Sequence, residues 1–304
     1  MEVRSVTGMR SSTARSWFVR ATRQLQEARL FFGHGAGDPA TEALWIAAHV
    51  LRFSFERQDD FSRATISVAQ RREADRVLEE RIRSRRPLAY ILGEAWLAGL
   101  RFRVDERVIV PRSFIAETLE NGVRAWLPGP VANALDLCTG SGCLAIILAK
   151  HFRRAHVDAA DISEPALEVA RMNVRDHRLA RRVRTVRSDL FQGLRRKRYD
   201  LIVSNPPYVK AASMRTLPAE YRYEPELSLA GGKDGLDLIR RILNDAPLHL
   251  KPEGVLVCEI GHNRRALEKA FPTHPFIWLS TESGSDEVFL INREGLSVQR
   301  SRFQ

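Results

Sequence analysis

The chain has few cysteines and no long apolar segment. Its 304 residues include only Cys138, Cys143 and Cys258, with no C-x-x-C spacing and no paired histidines. This pattern predicts neither a zinc site nor a disulfide framework, and free thiols are typical of a reducing compartment. No run of about 18 apolar residues occurs, so the sequence predicts no transmembrane helix. We therefore expect a cytoplasmic protein without a membrane partner.

The sequence also lacks the motif that binds nucleoside triphosphates, and its acidic residues do not outnumber its basic ones. No G-x-x-x-x-G-K-[ST] sequence is present, which leaves nucleoside triphosphate hydrolysis unsupported. The 48 Lys and Arg outnumber the 37 Asp and Glu, so the formal net charge is +11. Arginine clusters at residues 81–86, 181–187 and 195–198 could attract RNA, but no aromatic residues are interleaved with them. We mainly expect these clusters to form a generic solvated surface that contacts RNA only incidentally.

The first part of the chain is predicted to be helical. Residues 14–86 carry apolar side chains at helical spacing, and one helix is expected over Val68–Ser84. Asp38-Pro39 is typical of a helix start, because proline is tolerated in the first turn. The residues before position 23 are rich in arginine and serine, and we expect a fraying N-terminus there rather than a transit peptide.

The pattern then changes to alternation. Short strand-like segments lie at residues 95–97, 101–104 and 107–110, and Gly99 predicts a turn between the first two. They indicate a β-hairpin that links two domains. From residue 113 onward, strands and helices alternate, which predicts an α/β domain with a mostly parallel sheet and an antiparallel last strand.

A glycine turn between a strand and a helix predicts a site for a nucleoside cofactor. Gly140 and Gly142 permit positive φ and a close approach of a ligand to the backbone. Thr139 and Ser141 are expected to cap the following helix with their hydroxyls. Asp136, at the strand end, either contacts the ammonium group of the cofactor or bonds to loop amides.

The ends of the next two strands extend this site. Asp161 ends a strand at the spacing where a carboxylate can accept both ribose hydroxyls. Asp189 is expected to accept from the adenine amino group and Leu190 to cover the ring. The rival interpretation of Asp189 is a structural turn aspartate.

The tetrapeptide Asn205-Pro206-Pro207-Tyr208 follows an apolar strand and can grip a planar NH2 group. Two prolines remove backbone donors and hold Asn205 extended, so the Asn205 side-chain oxygen and the Pro206 carbonyl can each accept one hydrogen. Tyr208 is expected to pack its ring on the substrate group. The rival interpretation is a proline-rich turn in which Asn205 bonds to its own backbone. With the glycine turn, the tetrapeptide predicts methyl transfer from S-adenosylmethionine to an amide or amino nitrogen.

The motifs resemble those of the protein-glutamine N5-methyltransferases, and of their branch that acts on uL3, the third protein of the large ribosomal subunit. The resemblance is carried by the glycine loop, the acidic strand end, N-P-P-Y, E-P-E-L-x-L-A-x-G-x-D-G-L, and the segments at residues 33–35, 94–96, 104–113, 138–143 and 220–222. It implies S-adenosylmethionine as cofactor, uL3 as substrate, and a seven-stranded Rossmann-like sheet. It also implies that Asn205 and Pro206 bind the substrate amide and that Tyr208 packs over it.

The resemblance also divides the chain. It implies a helical substrate-recognition domain at residues 1–87, a hairpin linker at 88–112 and a methyltransferase domain at 113–304. Asn205 is expected to contact the cofactor as well, and Pro207 is expected to contact the substrate.

Two charged segments are also of interest. The acidic stretch 220–226 is expected to help recognise a basic substrate, and Arg112 either points to the active site or pairs with Glu117.

Three rival functions share parts of this pattern. A glutamine methyltransferase of peptide-chain release factors would use the same chemistry on another protein. An adenine-N6 DNA methyltransferase could also use N-P-P-Y, but would need a recognition domain for which few residues remain after Tyr208. A noncatalytic RNA-binding or assembly protein would have no need of the acceptor turn.

Overall fold

The computed structural model describes residues 13–52, 64–281 and 286–297. The residues before Thr13, where most of the expected fraying segment falls, lie outside this part of the chain. Residue contacts divide the protein into two compact units, residues 1–93 and 94–304. Within the described ranges, no helix combines the length and the apolar character of a membrane span.

The first unit is helical, as predicted. Its described helices are α1 (Ala14–Glu27), α2 (Pro39–Leu51), α3 (Val68–Ser84) and α4 (Leu88–Leu92). Asp38 caps α2 by accepting from the backbone N–H groups of Ala40 and Thr41 at 2.8 and 2.9 Å, and Pro39 occupies the first turn. The predicted bounds of α3 are confirmed. A buried ion pair between Arg81 and Glu42 ties α3 to α2.

The second unit opens with the predicted hairpin. Strands β1 (Glu94–Leu97) and β2 (Leu100–Arg103) are antiparallel. The third predicted segment, at 107–110, is not a strand. The Asp105 side chain accepts from the Arg107 backbone N–H at 3.1 Å and its carbonyl accepts from the Val108 N–H at 3.1 Å, so a turn uses the groups that a strand would pair. Residues 88–112 also include helix α4, which belongs to the first unit.

A seven-stranded sheet forms the centre of the second unit. Its strands are β3 (Asn133–Leu137), β4 (His156–Asp161), β5 (Val183–Arg187), β6 (Tyr199–Ser204), β7 (Leu250–Glu259), β8 (Ile277–Leu279) and β9 (Val288–Asn292). The spatial order is β5-β4-β3-β6-β7-β9-β8, and β9 runs antiparallel to both neighbours. The expected mostly parallel sheet with an antiparallel last strand is confirmed.

Helices cover both faces of this sheet. The helices of this unit are α5 (Ile115–Asn121), α6 (Cys143–His151), α7 (Glu164–Asp176), α8 (Ala211–Met214), α9 (Asp237–His249), α10 (Arg264–Ala270) and α11 (Arg293–Ser297). All of them except α8 contribute residues to the apolar clusters of the sheet. Short 3-10 turns lie at Val123–Trp126, Gln192–Leu194, Ala219–Tyr223, Glu226–Ser228 and Gly261–Asn263. Successive side chains of a strand point to opposite faces of the sheet. Ala134 packs in the apolar cluster on one face, and Leu135 and Leu137 pack in the cluster on the other face. The sheet is therefore a buried middle layer.

The strand order places a crevice at the centre of the sheet. After β3 the chain adds β4 and β5 on one side, and then crosses to add β6 on the other side. Ligands of open α/β sheets bind at such a switch point, at the carboxyl ends of the strands. Leu137 of β3 pairs in register with Ser204 of β6, so Cys138 and Asn205 leave the sheet side by side.

Candidate active site

A cavity of about 230 Å³ lies in this crevice. Six of the predicted site residues line it: Gly140, Asp161, Asp189, Leu190, Asn205 and Pro207. The other predicted residues do not: Asp136, Thr139, Ser141, Gly142, Pro206 and Tyr208. The structure thus brings the glycine turn, the two acidic strand ends and the acceptor turn together at one cavity. The six predicted residues that do not line the cavity belong to the end of β3 or to the same two turns.

Asp136, rather than the loop hydroxyls, caps helix α6. Its Oδ2 accepts from the Ala145 backbone N–H at 2.9 Å and from the Thr139 hydroxyl at 2.5 Å. Our prediction that Thr139 and Ser141 cap the helix is therefore wrong: Gly142 is the N-cap residue and no side chain bonds from the cap position. The reason is that Asp136 already engages the Thr139 hydroxyl.

The two glycines of the turn have different roles. Gly140 has φ +52°, and a Cβ there would meet no protein atom within 4 Å, so it would project into open space beside the cavity. Gly142 has φ +78°, and a Cβ there would lie 3.1 Å from the Ala170 Cβ. Gly140 keeps room for a ligand, whereas Gly142 lets α6 pack closely on α7.

Asp136 is completely buried, and its second oxygen is unpaired. Oδ1 has no hydrogen-bond partner in the described part of the chain. Burial raises the pKa of Asp136 to about 7, although the Thr139 and Ala145 hydrogen bonds act in the opposite direction. Asp136 therefore has a structural role, as the rival interpretation proposed, but its partners are a loop hydroxyl and a helix amide rather than loop amides. Contact with a cofactor ammonium stays a prediction.

Asp161 ties the glycine turn to the end of β4. Its Oδ2 accepts from the Gly140 N–H and its Oδ1 from the Ser163 N–H, both at 2.9 Å. Burial raises the pKa of this carboxyl above its ordinary value, while the backbone hydrogen bonds lower it. A carboxylate has about four acceptor positions. The two that remain can accept from hydroxyl groups of a ligand in the cavity.

Asp189 and Leu190 form the next part of the wall. Both carboxylate oxygens of Asp189 accept from Arg241 Nη2, at 2.8 and 2.9 Å. Leu190 is buried with φ +49°, an unusual backbone conformation for a branched residue. Asp189 thus has a structural partner as well as a place in the cavity wall, and its contact with adenine stays a prediction.

The acceptor turn keeps its acceptors free. Among the residues that the structure describes, none hydrogen-bonds to the Asn205 side chain or to the Pro206 carbonyl. The rival interpretation, in which Asn205 bonds to its own backbone, is therefore not what the structure shows. Asn205 lines the cavity beside Pro207. Its amide is available to a ligand.

Tyr208 is held by a buried carboxylate on the neighbouring strand. Its hydroxyl donates to Glu259 Oε1 at 3.1 Å, and its ring lies against Gly261, where a Cβ would be 2.6 Å from Cε2. Glu259 Oε2 also accepts from the Ser113 hydroxyl at 2.6 Å and from the Phe114 N–H at 3.0 Å. Burial raises the pKa of Glu259 to about 7, against these three hydrogen bonds. The carboxylate thereby joins the turn to residues 113–114.

The raised pKa values of Asp136 and Glu259 predict that the contribution of these two carboxyls to stability falls as pH rises. In the unfolded chain the carboxyls of Asp136 and Glu259 titrate at about pH 4, so from about pH 4 to 7 the folded state holds more protons than the unfolded state. Each group then lowers the free energy of unfolding by up to about 1.4 kcal/mol per pH unit. Urea unfolding at about pH 5 and 7 should show that Glu259→Gln removes part of this contribution, so that the free energy of unfolding of the variant changes less toward destabilisation between the two pH values than that of the unsubstituted protein. The exposed Glu253→Gln is the control; equal slopes for both variants would contradict the prediction.

An ion pair joins two walls of the cavity. Arg112 donates to both oxygens of Glu224, at 2.5 and 2.7 Å, and Glu224 also accepts from the Val110 N–H at 3.0 Å. Although burial acts in the opposite direction, the Glu224 charge raises the pKa of Arg112 further above its ordinary value. Arg112 does not pair with Glu117 among these bonds. Ile109 and Leu227, on the two joined segments, both line the cavity.

The acidic stretch 220–226 does not form the recognition surface that we expected. Glu220 and Glu224 are both buried, and only Glu226 of its three acids is exposed. The prediction treated these side chains as solvent-facing, whereas one of them neutralises Arg112 inside the fold.

Some cavity residues were missed by sequence reasoning. Cys138 follows β3 with φ +62° and lines the cavity, and burial raises the pKa of its thiol. Its position directly after the first strand of the switch point was the available signal. Ile109, Leu227 and Arg241 come from segments far apart in the chain, and no local pattern marks them.

The chain matches two family models and many named proteins. The model described as "Methyltransferase small domain" matches residues 114–219, and "PrmC N-terminal domain" matches residues 16–93. A Neisseria meningitidis serogroup A protein named "Ribosomal protein uL3 glutamine methyltransferase" is 48% identical over 287 residues, with 94% of each chain covered. A Bordetella pertussis protein of the same name is 47% identical over 288 residues, covering 94% of this chain and 97% of that one.

Among solved structures, the hMettl16 catalytic domain in complex with MAT2A 3'UTR hairpin 6 is similar at a TM-score of 0.53. The match has 13% sequence identity and covers 81% of this chain and 91% of that chain. At this identity the likeness shows the fold alone, which is that of a methyltransferase domain.

Proposed function

Because the chain belongs to the family of ribosomal protein uL3 glutamine methyltransferases, we propose that it transfers a methyl group from S-adenosylmethionine to the side-chain amide nitrogen (N5) of a glutamine in ribosomal protein uL3. The observation that carries this proposal is the free acceptor pair of Asn205 and Pro206 beside a cavity at the switch point. The reaction is placed in the cytoplasm, a proposal that the three free cysteines support.

The residues around the cavity fit S-adenosylmethionine. Gly140 leaves open space where any other residue would place a Cβ, and Asp161 has acceptor positions left for ribose hydroxyls. Leu190 would cover the adenine and Asp189 would accept from its amino group. Asp136, through the unpaired Oδ1, would favour a positive charge near the glycine turn. When bound, the cofactor supplies an electrophilic methyl group.

The acceptor turn would position the nucleophile. The lone pair of a glutamine amide nitrogen is delocalised into its carbonyl, so the nitrogen is a weak nucleophile. Asn205 Oδ1 and the Pro206 carbonyl would each accept one N–H hydrogen, which aims the nitrogen into the cavity and favours a pyramidal geometry. Such orientation can lower a barrier by about 7–11 kcal/mol in the best cases. No general base is needed before transfer, because the methylated nitrogen sheds its proton readily.

Tyr208 would form the other side of the amide slot. Its hydroxyl is fixed by Glu259 and its backbone carbonyl accepts from Asn263 Nδ2 at 2.8 Å, so the ring has little freedom. Glu259 acts through Tyr208 and is a positioning residue. The flat face of the ring would then support the substrate amide.

The partner is uL3, either free or in an assembly intermediate that leaves its glutamine exposed. We propose residues 1–87 as the part that recognises the substrate. A net charge of +11 opposes the approach of a basic protein, so local shape on the helical unit would have to outweigh this repulsion.

Asp161→Asn tests the cofactor site. An amide at this position keeps one acceptor oxygen but presents an NH2 group to the Gly140 or Ser163 N–H, so the loop loses a hydrogen bond. We expect the dissociation constant for S-adenosylmethionine to rise at least about tenfold, measured by isothermal titration calorimetry. Asp176→Asn, which alters an exposed carboxylate paired with Arg103, is the control. Unchanged affinity in the Asp161 variant would remove this residue from the cofactor site.

Labelled methyl transfer tests the substrate. The purified protein is incubated with methyl-labelled S-adenosylmethionine and either free uL3 or a peptide-chain release factor. We expect label on uL3 alone. Label on the release factor alone would keep the chemistry and overturn the substrate.

A further inference from the structure

Three loops on the edge of the sheet opposite the cavity carry exposed arginines. They precede the parallel strands β4, β5 and β6, and therefore lie at the amino ends of these strands, whereas the cavity lies at the carboxyl ends. The arginine edge is defined as Arg153, Arg154, Arg178, Arg181, Arg195 and Arg196, all of which are exposed. The methyl-transfer site does not use them.

Direct contacts hold the three loops together. Arg182 Nη1, in the loop before β5, donates to the Ala149 carbonyl at 2.6 Å, beside the loop before β4. Asp158 of β4 accepts from Arg184 Nε at 2.9 Å and from Lys197 Nζ at 2.7 Å, which joins β5 to the loop before β6. Since neighbouring strands are about 4.8 Å apart, the loops from β5 to β6 span roughly 14 Å. This rigid framework fixes where the arginines emerge.

The arginines of the edge differ from the cations that build the framework. Arg184 and Lys197 are paired with Asp158. Within the described ranges, by contrast, no ion pair or hydrogen bond engages the side chains of the arginine edge. Three acids beside these loops are already neutralised: Asp158 by these two cations, Asp200 by Lys251 and Asp176 by Arg103. The edge therefore presents several uncompensated positive charges.

From this arrangement we propose that the arginine edge binds the phosphate backbone of RNA. Unpaired, exposed guanidinium groups spread over about 14 Å fit several successive phosphates, which is the chemistry that dominates nucleic-acid affinity. None of the large apolar side chains that are exposed in the described ranges lies in these three loops, although Trp126 and Leu248 come before β3 and β7 at the same end of the sheet. A protein partner would need an apolar contact core and a membrane would need inserted apolar groups, so the edge fits a polyphosphate better than either.

The position of the edge makes RNA binding compatible with methyl transfer. RNA at the amino ends of the strands leaves the carboxyl-end cavity open. If the proposed function holds, the enzyme can therefore grip ribosomal RNA in an assembly intermediate while it modifies uL3 bound to that RNA. The Phe side chains in these loops, Phe152 and Phe191, are both buried, so the proposed binding depends on the charge of the RNA backbone rather than on its base sequence.

The test compares two variants of the full chain with equal charge loss. The edge variant carries Arg153→Gln, Arg154→Gln, Arg181→Gln and Arg195→Gln. The control carries Arg72→Gln, Arg83→Gln, Arg124→Gln and Arg265→Gln, which are also exposed and without a partner in the described ranges. Fluorescence anisotropy of a labelled RNA hairpin of mixed sequence gives the dissociation constant across a salt series, without cofactor or uL3. Thermal unfolding checks that both variants fold.

The edge variant is expected to bind at least about tenfold more weakly than the control and to lower the salt slope by roughly three. Equal weakening of the two variants would overturn the proposal, because binding would follow net charge alone. Equal affinity for poly-glutamate of the same charge would overturn it in favour of an acidic protein partner. If the edge variant does not fold, Arg181→Gln with Arg195→Gln is compared with Arg124→Gln and Arg265→Gln under the same criterion of unequal loss.

The result is separable from the proposed function. Methylation of free uL3 by the edge variant should match that of the unsubstituted protein, since the arginine edge does not touch the cavity. Loss of RNA binding with retained methylation supports the edge as an RNA surface. Loss of methylation on free uL3 in the folded edge variant would assign these arginines to substrate recognition and overturn the proposal.

Discussion

Asn205→Ala lowers kcat at least about a hundredfold and leaves the affinity for S-adenosylmethionine within about twofold, if the acceptor turn works as proposed. Loss of the side-chain oxygen removes one of the two acceptors that orient the substrate amide, and a misplacement of about 1 Å can cost a hundredfold in rate. The Pro206 carbonyl stays in place, and so do the other residues that line the cavity. Single-turnover kinetics and calorimetric titration with the cofactor measure the two quantities separately.

The control for this variant is Asn133→Ala. Asn133 is an exposed asparagine at the start of β3, at the opposite end of the strand from the cavity. Its replacement should leave both quantities unchanged. A turnover of Asn205→Ala equal to that of the unsubstituted protein would exclude the positioning mechanism, whatever the outcome for cofactor affinity.

Glu224→Gln has the second largest expected effect, because it leaves Arg112 without its charged partner in a largely buried position. The Glu224 side chain is fully buried and that of Arg112 is 23% exposed. Breaking a buried pair from one side costs about 3–5 kcal/mol. We expect the free energy of unfolding, measured in urea, to fall by about 3 kcal/mol. The Km for S-adenosylmethionine should also rise, since Ile109 and Leu227 would no longer be held together across the cavity.

Glu226→Gln is the matched control, since it changes an exposed acid two residues further along the same stretch. Surface substitutions of this kind usually stay within about 0.5 kcal/mol. If Glu224→Gln also stayed within that range, the ion pair would not be what holds the two cavity walls.

The fold was predictable where the determining interactions are local. Helix α3 has the predicted bounds Val68–Ser84 because apolar spacing and its capping residue, Ser67, lie within the segment itself. The parallel sheet followed from the alternation of strands and helices. The segment 107–110 looked like a strand by the same criterion, but the Asp105 turn used the backbone groups that pairing would need.

The site was predictable in its motifs and not in its tertiary partners. Cofactor and acceptor residues are adjacent to strand ends, and the switch-point rule brings those ends together. The partner of Arg112 lies 112 residues away, and nothing local distinguishes Glu224 from other acids of the chain. The capping of α6 was misassigned for a similar reason, because Thr139 is closer to the helix in sequence whereas Asp136 reaches it through the fold.

The central claim is that the nitrogen held by Asn205 and Pro206 is the N5 atom of a glutamine in uL3. Tandem mass spectrometry of uL3, after incubation with the purified protein and S-adenosylmethionine, tests it most directly. The account predicts the added mass of one methyl group, located on the side chain of a single glutamine and absent with Asn205→Ala. A methyl group on a lysine, an arginine or a backbone amine of uL3, or no methylation of uL3 at all, would contradict it.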